Sequence, residues 1–343
     1  MFFALDEDQQ AFDGAVRSYL AGRFDLEAVR GVFEGVGGAD GAADGHPASL
    51  WKAAAEQGWL AVTVPEEHDG LGLGLVEAQV IGRALGAGAA PGPWRGTVLA
   101  AEAVRLAGSP EQQAAWLPRL ASGDAVGAFT LRGSAPGTLP AVEYGALADV
   151  VVARSGDGLV LVTGATATPQ GSYDGTTRLA SVEAGEGEAL PGATAAVVAE
   201  LEARATVLVA ADLAGIAREA ITRTVAYDKD RQQFGVPVGS FQAIKHALAD
   251  LHVAVTLAEH AVLYAAHAVD TGLDGADLAV AVAKAKAGDA AVAATQAMIQ
   301  YHGGIGYTWE HEAHFFYKRA KRLAGQFGDA DAHRARIAEL TIG

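Results

Sequence analysis

The stretch Arg231 to Leu251, RQQFGVPVGSFQAIKHALADL, changes texture halfway along and frames the rest of the chain. In its first half Gly235 and Pro237 break one helix, and Ser240 can begin the next. From Phe241 onward, Phe241, Ile244, Leu248, Leu251, Val255, Ala258 and Val262 recur at alternating steps of three and four. That period predicts a long helix whose a/d seam packs against other helices. Alanine-rich segments at residues 276–300 and 308–324 are its expected partners, separated by breaks at Gly272, Gly275 and the run Gly303-Gly304-Ile305-Gly306. All eleven prolines lie between Pro47 and Pro237, so residues 238–343 are free of the commonest helix breaker. A C-terminal helical bundle follows.

Toward the N-terminus the pattern shortens. Residues 125–198 hold brief β-rich runs, Ala128 to Leu131, Asp149 to Val152 and Leu159 to Thr163, set apart by turns such as Ser155-Gly156-Asp157-Gly158. The first 120 residues read as shorter helices: Asp6 can cap one through Leu20, Ser49 one through Gln57, and Ser109-Pro110-Glu111 starts another with proline at its first position. The expected fold is α+β, mostly α, with an N-terminal helical domain (1–122), a middle β-domain (123–199) and the C-terminal helical bundle (200–343).

Composition narrows the function. Half of the 343 residues are hydrophobic and 19% are charged, which fits a chain that buries much surface. The 25 Lys and Arg against 41 Asp and Glu give a net charge of −16, which argues against broad binding to nucleic acid or anionic lipid. Without cysteine there is no thiolate nucleophile, cysteine-bound zinc or iron–sulfur cluster. The most apolar stretch, 276–299, is interrupted by Lys284, Lys286 and Asp289, and the acidic start Asp6-Glu7-Asp8 does not fit a signal peptide. A cytoplasmic protein is expected.

Two segments combine glycine, charge and aromatic residues. Arg231 most simply satisfies loose carbonyls where a helix ends; its guanidinium can also bind a phosphate beside the N–H groups of the next helix. In Gln300-Tyr301-His302-Gly303-Gly304-Ile305-Gly306-Tyr307, three glycines serve either a helix connection or a close approach of backbone to a ligand. The run His311-Glu312-Ala313-His314 lacks metalloprotease spacing and reads as a solvated helix face, so no metal is expected. Asp329 to Arg336 reads as a capped, exposed last helix.

Together, the 231–251 run, QYHGGIGYTWEHE at 300–312 and GWLAVTVPEEHDGLG at 58–72 resemble the acyl-CoA dehydrogenase family, three motifs in the family's order across nearly the whole chain. The resemblance implies an N-terminal helical domain, a middle β-domain and a C-terminal four-helix bundle, and oxidation of an acyl-CoA thioester at Cα–Cβ: a carboxylate takes the α-proton and FAD accepts the β-hydrogen as hydride. It assigns Arg231, Phe234, Gln242, Gln300, Gly303 and Gly304 to the pyrophosphate and adenosine of an FAD held mainly by a neighbouring subunit.

Two departures from the family accompany the match. The family's "TEPxxGSD"-like flavin loop is here Phe129-Thr130-Leu131-Arg132-Gly133-Ser134-Ala135-Pro136-Gly137. The two positions where members carry the catalytic base, the Glu of "YEGT" and a site 26 residues before the motif Arg, are here Phe327 and Ala205, which cannot accept a proton. In these respects the chain resembles one subunit of the actinobacterial heteromeric (α2β2) acyl-CoA dehydrogenases of steroid side-chain degradation, the one that lacks the base and completes its unlike partner's FAD site. The alternatives are a homotetramer with a displaced base, Asp329 or Glu202, and a flavin-free structural subunit.

Overall fold

The computed structural model describes residues 4–35 and 44–343. Among the described residues six α-helices come first: α1 (Glu7–Arg23), α2 (Leu26–Glu34), α3 (Ala48–Glu56), α4 (Leu75–Ala87), α5 (Trp94–Ala107) and α6 (Pro110–Ser122). Their starts follow local chemistry. Asp6 and Ser109 each accept the N3 backbone N–H while a glutamine at N3 reaches back, and Pro110 opens α6 where no N–H is needed. Helix α3 begins earlier than expected, with Pro47 rather than Ser49 at its N-cap and no side-chain cap.

The middle of the chain forms two small sheets. Strands β1 (Gly127–Thr130), β3 (Val150–Ser155), β4 (Gly158–Val162) and β7 (Glu188–Ala189) make one, ordered β1-β3-β4-β7 with β1 parallel to β3. Strands β2 (Gly137–Glu143), β6 (Leu179–Ala184) and β5 (Thr166–Gln170) make the other, all antiparallel. Val151, Ala153, Val160 and Val162 from the first sheet and Leu139, Val142, Ala180 and Val182 from the second share one apolar cluster. The opposite face of the first sheet, through Val150, Val152, Leu159 and Leu161, packs on α5 and α6. Alternating side chains of β3 and β4 thus serve two cores.

Helices return with α7 (Ala195–Asp230), a short hairpin of β8 (Gln232–Gln233) and β9 (Val236–Pro237), then α8 (Gln242–Asp270), α9 (Ala276–Tyr301), α10 (Ala313–Ala324) and α11 (Ala330–Ile342). The seam expected on α8 is buried at Leu248, Val255, Ala258 and Val262. The five-residue connection between α8 and α9 makes them antiparallel neighbours, and α10 and α11 both lie on α9. Helix α10 starts at Ala313, five residues later than the sequence pattern suggests, because Ile305–Tyr307 turn as a 3₁₀ helix. Asp329 caps α11, and no residue of α11 is buried, as expected.

The chain divides into two compact units, one of residues 1–30, 79–90 and 206–343, the other of 31–78 and 91–205. In the first, glycine permits a tight crossing of α4 and α7: a Cβ on Gly215 would lie 1.9 Å from the Arg83 carbonyl oxygen, and one on Gly86 2.2 Å from that of Asp212. Beside it the buried Arg319 guanidinium holds Asp212 at 2.6 Å and donates to the Ala90 carbonyl at 3.0 Å. In the second unit, buried Glu102 takes Arg204 at 3.0 Å and Arg105 at 2.9 Å. Each of these buried charges is paired. Among the described residues, no helix is long and apolar enough to cross a membrane.

Candidate functional site

Helix α7 ends where Arg231 begins a tight hairpin. The Arg231 backbone N–H donates to the Tyr227 carbonyl and the Arg231 carbonyl accepts from Val238, both at 2.8 Å. Phe234 and Gly235 form the two-residue turn with φ of 53° and 77°. Two left-handed residues in succession match the twist of a hairpin, which explains Gly235 but places Phe234 at a conformational cost. Phe234 is 92% exposed and meets Phe241 edge-on at 6.2 Å. Ser240 does not start the next helix. It lies in a 3₁₀ turn, Phe241 takes the N-cap position, and no side chain caps α8, whose first residue is Gln242.

The second segment closes α9. Gln300 sits exposed in its last turn, and Gly303 takes φ of 65°. A Cβ on Gly303 or Gly304 would meet nothing within 4 Å. At Gly304, whose φ is −54°, neither backbone conformation nor packing calls for glycine, so the turn leaves room for an approaching ligand.

The fold brings the two segments to one end of the helical unit. Antiparallel packing of α8 and α9 sets Gln242 and Gln300 at the same end of the pair. Tyr227, one turn before Arg231, stacks on His302, with ring centroids 4.3 Å apart. His302 Nδ1 donates to the Met298 carbonyl at 2.7 Å. Burial holds the His302 imidazole below its usual range, against the pull of that carbonyl, and the neighbouring His311 ring adds to the lowering. Arg231, Phe234, Gln242, Gln300, Gly303 and Gly304 are thus all exposed at one end of the helical unit, where the N-terminus of α8 is uncapped. One cation, two carboxamides and open backbone N–H groups suit an anionic ligand, and the room above Gly303 and Gly304 fits its close approach.

The run His311 to His314 is not a solvated face. His311 lies 4.4 Å from His302 and accepts the Ala313 N–H, Glu312 pairs with Arg223 at 3.1 Å, and His314 contacts the rings of Trp309 and Phe315. The apolar neighbours Phe315 and Phe316 pull the start of α10 inward. Among the described residues no cluster of histidine and carboxylate side chains could hold a metal.

Two groups carried no signal in the sequence. Asp228, beneath the hairpin, is 1% exposed, and neither carboxylate oxygen has a hydrogen-bond partner. Burial pushes its carboxyl up to about 6. Its backbone is overlaid by Gly239, where a Cβ would stand 3.0 Å from the Asp228 carbonyl oxygen. Lys284, read in the sequence as a charge interrupting an apolar run, is wholly buried. It donates from Nζ to the carbonyls of Ala324 at 2.9 Å and Gly328 at 2.7 Å. Burial lowers its amine to about 8, with Asp329 pulling the other way.

The turn that Lys284 holds contains Phe327 (φ 53°) and Gly328 (φ 92°), and His333 Nε2 donates to the Phe327 carbonyl at 2.9 Å. Asp329 accepts the Ala332 N–H at 2.9 Å as the cap of α11, and chiefly that bond holds its carboxyl below the usual range. Ala205 is buried within α7, and Glu202 is exposed. In the other unit, Phe129 to Gly137 leaves β1, turns at Gly133 and enters β2, with the Ala135 N–H donating to the Arg154 carbonyl at 2.8 Å.

Residues 6–124 match the acyl-CoA dehydrogenase N-terminal domain and residues 195–341 the acyl-CoA dehydrogenase C-terminal domain. Acyl-CoA dehydrogenase IpdE2 of Mycobacterium tuberculosis is 37% identical over 319 residues, covering 92% of this chain and 91% of that protein. A chain of the ChsE4-ChsE5 complex from Mycobacterium tuberculosis superposes with a TM-score of 0.86 at 26% identity, covering 99% of this chain and 98% of that one. A chain of the steroid ACAD Tcur3481-Tcur3483 gives a TM-score of 0.85 at 25% identity, covering 98% of each. The chain therefore belongs to the acyl-CoA dehydrogenase family.

Proposed function

We propose that this chain is the subunit of an FAD-dependent acyl-CoA dehydrogenase that lacks the catalytic base and completes the FAD site of an unlike partner, in an α2β2 assembly. The observation that carries this reading is a contrast within one helical unit. The donors at the Arg231 end stand exposed and open, whereas the base position holds Phe327 in a turn whose carboxylate nearest in sequence, Asp329, is committed to a helix cap. In this reading residues 1–122, 123–199 and 200–343 act as the N-terminal helical, middle β and C-terminal helical domains.

Arg231 neutralises pyrophosphate charge, reinforced by the first N–H groups of α8. Gln242 and Gln300 give directional hydrogen bonds, Gly303 and Gly304 admit the ligand to the backbone, and Phe234 supplies apolar cover. When bound, FAD supplies the hydride acceptor for Cα–Cβ oxidation. The α-proton goes to a carboxylate of the partner, because Phe327 and Ala205 offer no acceptor. The ChsE4-ChsE5 and Tcur3481-Tcur3483 complexes each pair two named proteins, which supports an unlike partner. The latter, a steroid ACAD, supports a steroid side-chain CoA thioester as substrate.

The test compares the chain alone with the chain co-expressed with its partner. The isolated chain is expected to retain little FAD and no dehydrogenase activity, and the complex to be yellow and active. Arg231→Ala in the complex should weaken FAD retention roughly tenfold to a hundredfold, the worth of a charge-assisted bond to phosphate. Full flavin content and turnover in the isolated chain would overturn the reading. A colourless, inactive complex whose assembly Arg231→Ala leaves intact would instead make the chain a flavin-free structural subunit.

A further inference from the structure

The Arg231 hairpin and the glycine turn after α9 meet at a stack of three rings. Tyr227, whose carbonyl accepts the Arg231 N–H, lies on His302 with ring centroids 4.3 Å apart and an interplanar angle of 24°. His311 covers His302 from another side at 4.4 Å, tilted by 51°. His302 itself stands between Gln300 and Gly303 and is 4% exposed. The 3₁₀ turn that follows closes over it: a Cβ on Gly306 would lie 2.9 Å from the His302 Cβ. So close a fit ties the position of the glycine turn to that of one ring.

Hydrogen bonds fix the state of both imidazoles. A carbonyl only accepts, so His302 Nδ1, 2.7 Å from the Met298 oxygen, carries a hydrogen and Nε2 is bare. A backbone N–H only donates, so His311 Nδ1, 3.1 Å from the Ala313 nitrogen, is bare. Protonating His302 puts a cation inside the stack, and protonating His311 at Nδ1 also breaks its bond to Ala313. The charged groups beside the two rings are Arg223 on α7 and Glu312 at the start of α10, paired at 3.1 Å, with Arg30 of α2 beside His311. Burial chiefly holds both imidazoles below their usual range, while Glu312 pulls each the other way and the Met298 carbonyl does so for His302. Below about pH 6.5 the unfolded chain therefore binds more protons than the folded one, and acid works against the stack.

Resting on the FAD reading above, we infer that Tyr227, His302 and His311 are positioning residues that hold the glycine turn in register with the Arg231 hairpin, and that they do so only while both imidazoles are neutral. Buried as it is, His302 acts through Gly303 and through Tyr227, not by offering its own ring to the flavin. The FAD site then carries its own sensitivity to acid.

The test uses the complex with the partner subunit and, for a readout free of flavin, the chain alone. In the complex, His302→Ala should weaken FAD retention about threefold to tenfold at pH 7.5, the worth of an aromatic contact, and His302→Phe, which keeps a ring on Tyr227, should restore it. In the chain alone, hydrogen exchange read by mass spectrometry over residues 303–309 should quicken in His302→Ala and return to the wild-type rate in His302→Phe. Retention by the wild type should fall between pH 7.5 and pH 5, and the double variant His302→Phe, His311→Gln, which has no imidazole in the stack, should lose most of that fall. If Arg231→Ala sheds FAD while His302→Ala changes neither retention nor exchange, the FAD site stands and the positioning role is overturned. An acid response in the double variant as large as that of the wild type would overturn the need for neutral rings. Full retention in Arg231→Ala would instead overturn the FAD reading, and the positioning role with it, whatever the exchange rates.

Discussion

Two breaks in the C-terminal helices treat their polar groups in opposite ways. At the hairpin between α7 and α8, the side chains of Arg231, Phe234 and Gln242 stand in the open, while the carboxylate beneath, Asp228, is buried without a partner. At the turn between α10 and α11, the carbonyls of Ala324 and Gly328 face inward and share one buried ammonium, that of Lys284. A break that serves a ligand keeps its side chains and backbone N–H groups available. A break that serves the fold spends its backbone inside and leaves the side chain at Phe327 open to change.

The largest effect that would sharpen this contrast is expected at Lys284. Lys284→Met keeps the aliphatic volume but strips two carbonyls of their donor, a loss of about 2–4 kcal/mol in unfolding free energy by urea denaturation. The sign of the pH dependence is fixed by the lowered amine. With a folded value of about 8 and an unfolded value near 10.4, the unfolded chain binds more protons between those limits, so wild-type stability rises with pH across that window. The variant should lack this rise. A loss below about 0.5 kcal/mol would break the comparison, because the turn would then hold without its buried cation.

A smaller, opposite effect is expected at Asp228. Its carboxyl, pushed up to about 6 against an ordinary value near 3.9, keeps a proton in the folded chain that the unfolded chain releases. Stability therefore falls as pH rises from about 4 to about 6, and the full penalty stands above that. Asp228→Asn should raise the melting temperature by about 2–5 °C at pH 8 and leave it unchanged at pH 4, as read by circular dichroism. If the two proteins melt together at pH 8, the carboxylate gains a partner in solution and the hairpin rests on a satisfied base.

The sequence makes the helices legible and their long-range pairings illegible. The period of three and four from Phe241 to Val262, the capping residues Asp6 and Ser109, and the confinement of proline to residues 47–237 identify elements through local chemistry. Lys284 could not be placed that way, since its acceptors lie 40 and 44 residues further on and an ammonium inside an alanine-rich helix looks like an exposed charge. The run His311 to His314 misleads for a related reason: its polar letters suggest water, whereas Phe315 and Phe316, next in the chain, carry it into the core. The exposed set around Arg231 was legible only as a resemblance, because Arg, Gln and Gly at helix ends serve structure and ligand alike. Its uncapped α8 terminus and the empty space around Gly304 are properties of the folded backbone.

The smallest expected effect decides whether the inward-facing turn does any chemistry. Asp329 is the carboxylate nearest in sequence to Phe327, but its oxygen accepts the Ala332 N–H, and that bond, ahead of Lys284 and His333, holds the carboxyl in its ionised form. A carboxylate held below its usual range has little drive to take a proton from a thioester α-carbon, and leaving its cap would expose the first turn of α11. Asp329→Ala should therefore lower the melting temperature by only about 1–3 °C and change turnover of the partner complex less than about twofold. Asp329→Asn, which keeps the cap, should be closer still to wild type. A loss of turnover beyond about a hundredfold in both variants, with FAD retained, would place the base in this turn after all. The chain would then be a dehydrogenase with a displaced carboxylate, and the contrast between its two helix breaks would be one of position rather than of role.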